Sequence, residues 1–139
     1  MSDRLIKPLS LFLGIIMFLF GILKFFQPFH GWFDIQIQQS HLPHVSILAG
    51  KISEMLTGIL FLLPWLPGSL TIKTKHTLLL LASFLLFTQM AVAIYVQLQP
   101  AVPAAVLPLG IKPPVIPVIV LLLGCLDAFA VWKQSQARK

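Results

Sequence analysis

Lys51 and Glu54 are the residues whose types and spacing most directly suggest chemistry. They sit in the stretch KISEMLTGILFLLP, residues 51–64, which is otherwise close to pure hydrocarbon. Three residues apart on a helix, they share one face. An ionised side chain at the centre of a bilayer costs at least ~2.5–3.5 kcal/mol, so neither belongs against lipid. Both are expected to face a protein interior, paired with each other or with another helix. An amine held there can donate to a ligand oxygen, and a carboxylate can move a proton. Ile47 and Gly58 extend the same stripe, and Gly58 would let a neighbouring helix approach closely.

Further polar residues fall at matching depths. Counted from a helix start near Val45, Glu54 lies about 13 Å in and Lys51 about 9 Å, at 1.5 Å per residue. Gln89 lies about 13 Å before a helix end near Leu98 by the same rise, so Glu54 and Gln89 can be level. Lys24 follows Gly14 and Gly21 along one helical stripe, which turns it inward. Gln97 and Lys112 belong near the same mouth. Lys24, Lys51, Glu54 and Gln89 are therefore expected to converge in the outer half of a bundle. The lid over them would be built from His30, Trp32, Asp34, His41, His44 and the 99–114 segment. A few polar groups converging in an apolar cavity are a default ligand site, with Lys24, Lys51, Glu54, Gln89 and Trp32 as its candidate residues. The competing reading is an interhelical ion pair that sets helix register. Both explain burial, and they differ on whether a ligand enters.

The elements that must position these residues follow from composition. The 139-residue chain is 58% hydrophobic and 10% charged, and its mean hydropathy is +0.93. A soluble domain has roughly 45–50% apolar and about 25% charged residues, so the natural solvent here is a bilayer. Four apolar runs, about 5–26, 45–64, 77–98 and 115–132, each approach the ~20 residues needed to cross ~30 Å of hydrocarbon. Runs this continuous must satisfy their own backbone hydrogen bonds, which makes them helices. The alternating strands of a transmembrane barrel are absent. The expected fold is all-α: one integral membrane four-helix transmembrane domain over residues 1–139. No small-x-small cleavage site follows the first run, so it reads as an uncleaved spanning helix.

The net charge of +6 would suggest nucleic acid in a soluble chain. Here the cations flank the hydrophobic runs. Arg4 and Lys7, then Lys73, Lys75 and His76, then Lys133, Arg138 and Lys139 fall on one side after an even number of crossings. The positive-inside rule makes that side cytoplasmic, with both termini inside and no nucleic-acid role. Loop 65–76, with its Pro67-Gly68 turn signal, makes the second and third runs antiparallel neighbours. Loop 99–114 is rich in proline and is expected to lie extended across the outer mouth. Segment 27–44 has apolar residues at both helical and strand spacing. Its aromatic content favours a short interfacial helix.

Other chemistry is weaker. His30, Asp34, His41 and His44 make a poor metal set, because Pro43 disfavours the helix that would bring His41 and His44 to one face. Asp127 is expected near the inner end of the fourth run, paired with Arg4, Lys7 or Lys133. Cys125, the single cysteine, is expected as a small packing residue and cannot form an internal disulfide. Phosphate-loop, zinc-protease and nucleophile-elbow signatures are missing.

Three motifs occur in order: FGILKFFQPF with Gly21 and Lys24, an aromatic stretch ending in SHLPH, and AGKISEMLTGILFLLP with Glu54 and Gly58. Together they resemble the DoxX-like family of small four-helix membrane proteins over roughly residues 5–100. The resemblance implies a site near Lys24, Glu54 and Gly58. Family members have been linked to quinone-coupled sulfur oxidation and to membrane redox complexes that handle oxidative stress. The lone cysteine departs from a thiol-redox role, and the third and fourth runs match least. The first functional reading is a quinone-linked redox subunit, with Lys24 or Lys51 donating to a lipid quinone and Glu54 moving a proton. The alternatives are a non-enzymatic binder of a lipid or amphipathic small molecule, or a structural subunit of a membrane complex. Expected partners are membrane lipids, another membrane redox protein or a second copy of the chain. The expected location is a bacterial plasma membrane.

Overall fold

The computed structural model describes residues 2–139. Five α-helices follow one another: α1 (Ser2–Leu23), α2 (Phe29–Gln39), α3 (Val45–Leu62), α4 (Ile72–Leu98) and α5 (Val115–Ala137). Short 3₁₀ turns at Leu63–Trp65, Ala104–Val106 and Pro108–Gly110 complete the regular structure of these residues. Four of the helices, all but α2, are long and apolar enough to cross a membrane. α1 packs on α3, α3 on α4, α4 on α5, and α5 back on α1, so these four close into a ring.

Local chemistry sets the ends. α4 starts at Ile72, earlier than the apolar run, because the Thr71 hydroxyl accepts from Thr74 N at 3.2 Å and caps the helix. α5 carries Pro117 in its first turn, where a missing N–H leaves no intrahelical bond unmade. It also runs past the apolar segment to Ala137. α1 begins at Ser2 with Pro8 inside it. Segment 27–44 does form the expected short helix, α2.

The helices meet through a core of Ile6, Leu13, Met17, Phe61, Leu79 and Leu86 with neighbours from α5. The tightest approach is α1 on α3. A Cβ on Gly58 would stand 2.6 Å from Phe18 N and 2.7 Å from Gly14 O. Only a glycine fits there, as Gly58's place on the polar stripe of α3 suggests.

The two ends of the bundle differ. At one end Gln134 of α5 accepts from His76 of α4 across 2.6 Å and donates to Asp3 of α1 at 2.9 Å. The start of α1 and the end of α5 therefore lie at this end. At the other, capped end, α2 and the 99–114 segment form a roof. The segment is not simply extended: it holds two 3₁₀ turns, and its Val102, Val106 and Leu107 are buried against Val96, Trp32 and Leu42. Gln36 of α2 donates to Val106 O. Lys112 donates to Gln99 O at 2.5 Å and Val102 O at 2.6 Å, closing the segment on itself.

Candidate functional site

Beneath this roof lies a cavity of about 680 Å³. α1, α2, α3, α4 and the start of α5 all contribute to its wall. Of the residues singled out in the sequence, Lys24, Glu54, Gln89 and Trp32 line it, and Lys51 does not.

Lys24 and Glu54 form the charged part of the wall. Lys24 Nζ donates to both Glu54 oxygens at 2.7 Å, joining the end of α1 to the middle of α3. The two side chains are only 20% and 11% exposed. Lys24 also stands 4.3 Å from the centroid of the Phe33 ring, which shields the pair from above. A buried ion pair recovers its desolvation only through such geometry.

Lys51 does not pair with Glu54. Although the two are three residues apart, Lys51 Nζ donates to His30 Nδ1 at 2.8 Å and lies 5.1 Å from the Phe25 ring centroid. Lys51 is 5% exposed. His30 in turn faces Asp34 Oδ2 at 3.5 Å. The shared helical face is real, yet tertiary contacts split it: Glu54 turns to α1, and Lys51 turns to α2. Lys51 thus fastens the roof to the bundle.

Gln89 and Thr57 bring α4 to α3. The Thr57 hydroxyl donates to Ser53 O at 2.8 Å, so its lone pair accepts from Gln89 Nε2 at 2.9 Å. This fixes the amide orientation and leaves Gln89 Oε1 buried without a partner. Trp32 packs edge-on against Phe29, with ring centroids 5.4 Å apart.

Several expectations are corrected. His41 and His44 are exposed and take no part in the lid; His41 has a positive φ of 60° just beyond α2. Among the described residues no group of three His, Cys, Asp or Glu side chains is placed to hold a metal ion. Asp127 pairs with none of Arg4, Lys7 or Lys133. It is fully buried and accepts from the Ser10 hydroxyl at 3.0 and 3.1 Å. Cys125 is exposed rather than packed in the core. The expectation for Asp127 rested on the cations of the same end of the bundle, whereas the α1 residue that meets Asp127 is Ser10, further along the helix than Arg4 and Lys7.

The sequence reading placed Gln97 near the mouth without choosing it as a site residue, and it did not name Ser46, Ser53 or Gln36. Ser46, Ser53 and Gln36 all line the cavity, and so does Gln97, which is 5% exposed and makes no side-chain hydrogen bond. Gln97 lies eight residues beyond Gln89, a little over two helical turns along and about 80° round the helix. An amide at that spacing in an apolar helix was the available signal.

The arrangement defines a four-span helical membrane protein with a roofed, mostly apolar chamber at one end. None of the protein-family profiles, curated proteins or solved structures compared with this chain matches it.

Proposed function

We propose that this chain is a small membrane protein of DoxX-like type whose chamber holds a lipid-soluble small molecule. The observation that carries the reading is the cavity of about 680 Å³ into which Lys24, Glu54 and Gln89 converge. Volumes of roughly 300–1,000 Å³ with a few placed polar groups are typical of small-molecule sites. The one residue set that would be needed for a purely structural ion pair, Lys24 and Glu54, does not require such a volume beside it.

The charge distribution supports cytoplasmic termini. Arg4, Lys7, Lys73, Lys75, Lys133, Arg138 and Lys139 belong to the end that holds the termini. The cations of the capped end, Lys24, Lys51 and Lys112, are each bonded within the protein. The positive-inside rule then directs the capped end outward, in a bacterial plasma membrane on this reading. A lipid quinone is the occupant the family resemblance suggests. Its oxidation or reduction would need a partner protein to carry the electrons. The binder reading needs no such partner and is the more economical.

Native mass spectrometry of protein extracted from its own membrane tests the proposal, beside the Ala93→Phe variant. Ala93 lines the cavity and makes no side-chain hydrogen bond. A discrete adduct on the wild type that is lost from the folded variant is the expected result. The adduct mass separates a quinone from other lipids. No adduct on either protein, with Glu54→Gln lowering abundance, would overturn it in favour of a structural subunit.

A further inference from the structure

The chemistry of the wall limits what it can hold. Lys24 and Glu54 are the charged side chains that line it, and each neutralises the other across 2.7 Å. Lys51, the other buried cation near the roof, is turned away to His30. No uncompensated charge therefore faces the chamber from the described residues. A phosphate or carboxylate brought inside would have to break the Lys24–Glu54 pair or stay buried without a counterion. Either costs several kcal/mol.

The polar groups left free are amides. Gln97 is nine-tenths buried, lines the chamber, and has neither a donor nor an acceptor partner for its side chain. Its amide is not among the fully buried unpaired atoms, so it meets the open space of the chamber, where a hydrogen-bonding occupant can pair with it. Deeper in α4, Gln89 Oε1 also lacks a donor. An uncharged group that both donates and accepts suits such a lining best.

The wall has exposed residues on its α3–α4 side. Thr88 and Val92 of α4 and Ala49 of α3 line the chamber and are exposed at the surface, Val92 to 44%. Thr88 lies about 15 Å and Val92 about 9 Å from the α4 end at Leu98, from the helical rise. At this depth the α3–α4 side of the bundle faces the hydrocarbon of a membrane and not the aqueous phase, so a lipid that entered there would come from the bilayer. On the roof side Phe29 and Leu109 also line the chamber and are exposed, Leu109 to 85%, while the roof itself is tied down by Lys112, Gln36 and Lys51.

We propose that the occupant is an uncharged, hydroxyl-bearing lipid that enters from the bilayer between α3 and α4 and hydrogen-bonds the Gln97 amide. This rests on reading the cavity as a ligand chamber. It names the head-group class and makes Gln97 the residue that selects it.

The test uses the full chain in nanodiscs of zwitterionic lipid and two probes with one acyl chain: monooleoylglycerol and its phosphate ester. Binding is read by native mass spectrometry and by displacement of any co-purified adduct. Monooleoylglycerol should bind at least about tenfold more tightly, as expected when about 1.4 kcal/mol or more opposes the charge. Gln97→Leu should weaken it about fivefold, the loss of one ordinary hydrogen bond, without lowering the unfolding temperature. Gln97→Asn, which keeps an amide on a shorter arm, should fall between them and guards against a misfolded leucine variant. Equal or tighter binding of the phosphate ester overturns the proposal, as do unchanged affinity in both Gln97 variants and failure of monooleoylglycerol to bind. An Ala93→Phe variant that still binds monooleoylglycerol at full strength overturns instead the chamber reading itself. A native adduct that is lost in Ala93→Phe but displaced by neither probe leaves the chamber standing and rejects the hydroxy-lipid class.

Discussion

Glu54 and Asp127 are the two carboxylates carried by the membrane-length helices within their apolar stretches, and they are housed in opposite ways. Glu54 has a full cation at 2.7 Å, an aromatic ring against that cation and a cavity at its side. Asp127 has no cation bonded to it, is completely buried, and is held by one serine hydroxyl in close-packed surroundings. The Asp127 side of the bundle is a joint, in which a polar contact pins α1 to α5. The Glu54 side combines a joint with space. Burial of an acid in an apolar helix is thus not by itself a mark of a binding site. What separates the two is room for another molecule, and that room comes from α2 and the 99–114 segment bridging the helices rather than filling between them.

The comparison breaks most sharply at Lys24. Lys24→Met leaves Glu54 buried without its cation and should destabilise the protein by about 3–5 kcal/mol, with Lys24→Met/Glu54→Leu recovering most of it. Unfolding in detergent, followed by circular dichroism, measures both. If the double variant is as unstable as the single, the pair is not the unit described here. Next comes Ser10→Ala, which strips Asp127 of its one hydroxyl partner. A loss of about 1–3 kcal/mol is expected, and any ligand adduct should persist. Loss of the adduct with stability intact would show that the two ends are coupled and that the division drawn between them is wrong.

Gly58→Ala probes the α1–α3 contact that carries the Lys24–Glu54 pair. The added methyl meets backbone at 2.6 Å, and overpacking of this kind typically costs about 1–3 kcal/mol. A neutral result would mean that α1 and α3 separate easily. The smallest effect is expected two residues from Asp127. Cys125 is exposed, so Cys125→Ala should change stability by no more than about 0.5 kcal/mol, the usual range for surface sites. A lipid-soluble maleimide should label it in folded protein. Protection from the reagent would place Cys125 in a contact between copies or with a partner.

Much of the architecture was legible in the residues. The four apolar runs became four membrane-length helices, because continuous hydrocarbon of that length admits no other backbone pairing. Boundaries moved outward where capping and polar helix formers act, at Thr71 and along residues 133–137. The site was legible in part. Lys24, Glu54, Gln89 and Trp32 do share one cavity wall. Gln97 went unselected, and its free amide is visible only once its neighbours are in place.

Pairing is where the sequence stopped. Spacing put Lys51 and Glu54 on one face but carried no information on which helix each would meet. It placed Arg4, Lys7 and Lys133 at the end of the bundle nearest Asp127, whereas the bond went to Ser10, 117 positions away. The physical reason is the range of the forces. Hydropathy and helical period are properties of one segment, so the sequence alone determined the all-α class, the number of long apolar helices and which faces must be hidden. Ion-pair partners, the turning of Lys51 to His30, and the cavity beneath the roof depend on the packing of five helices at once. Only the tertiary structure decided them.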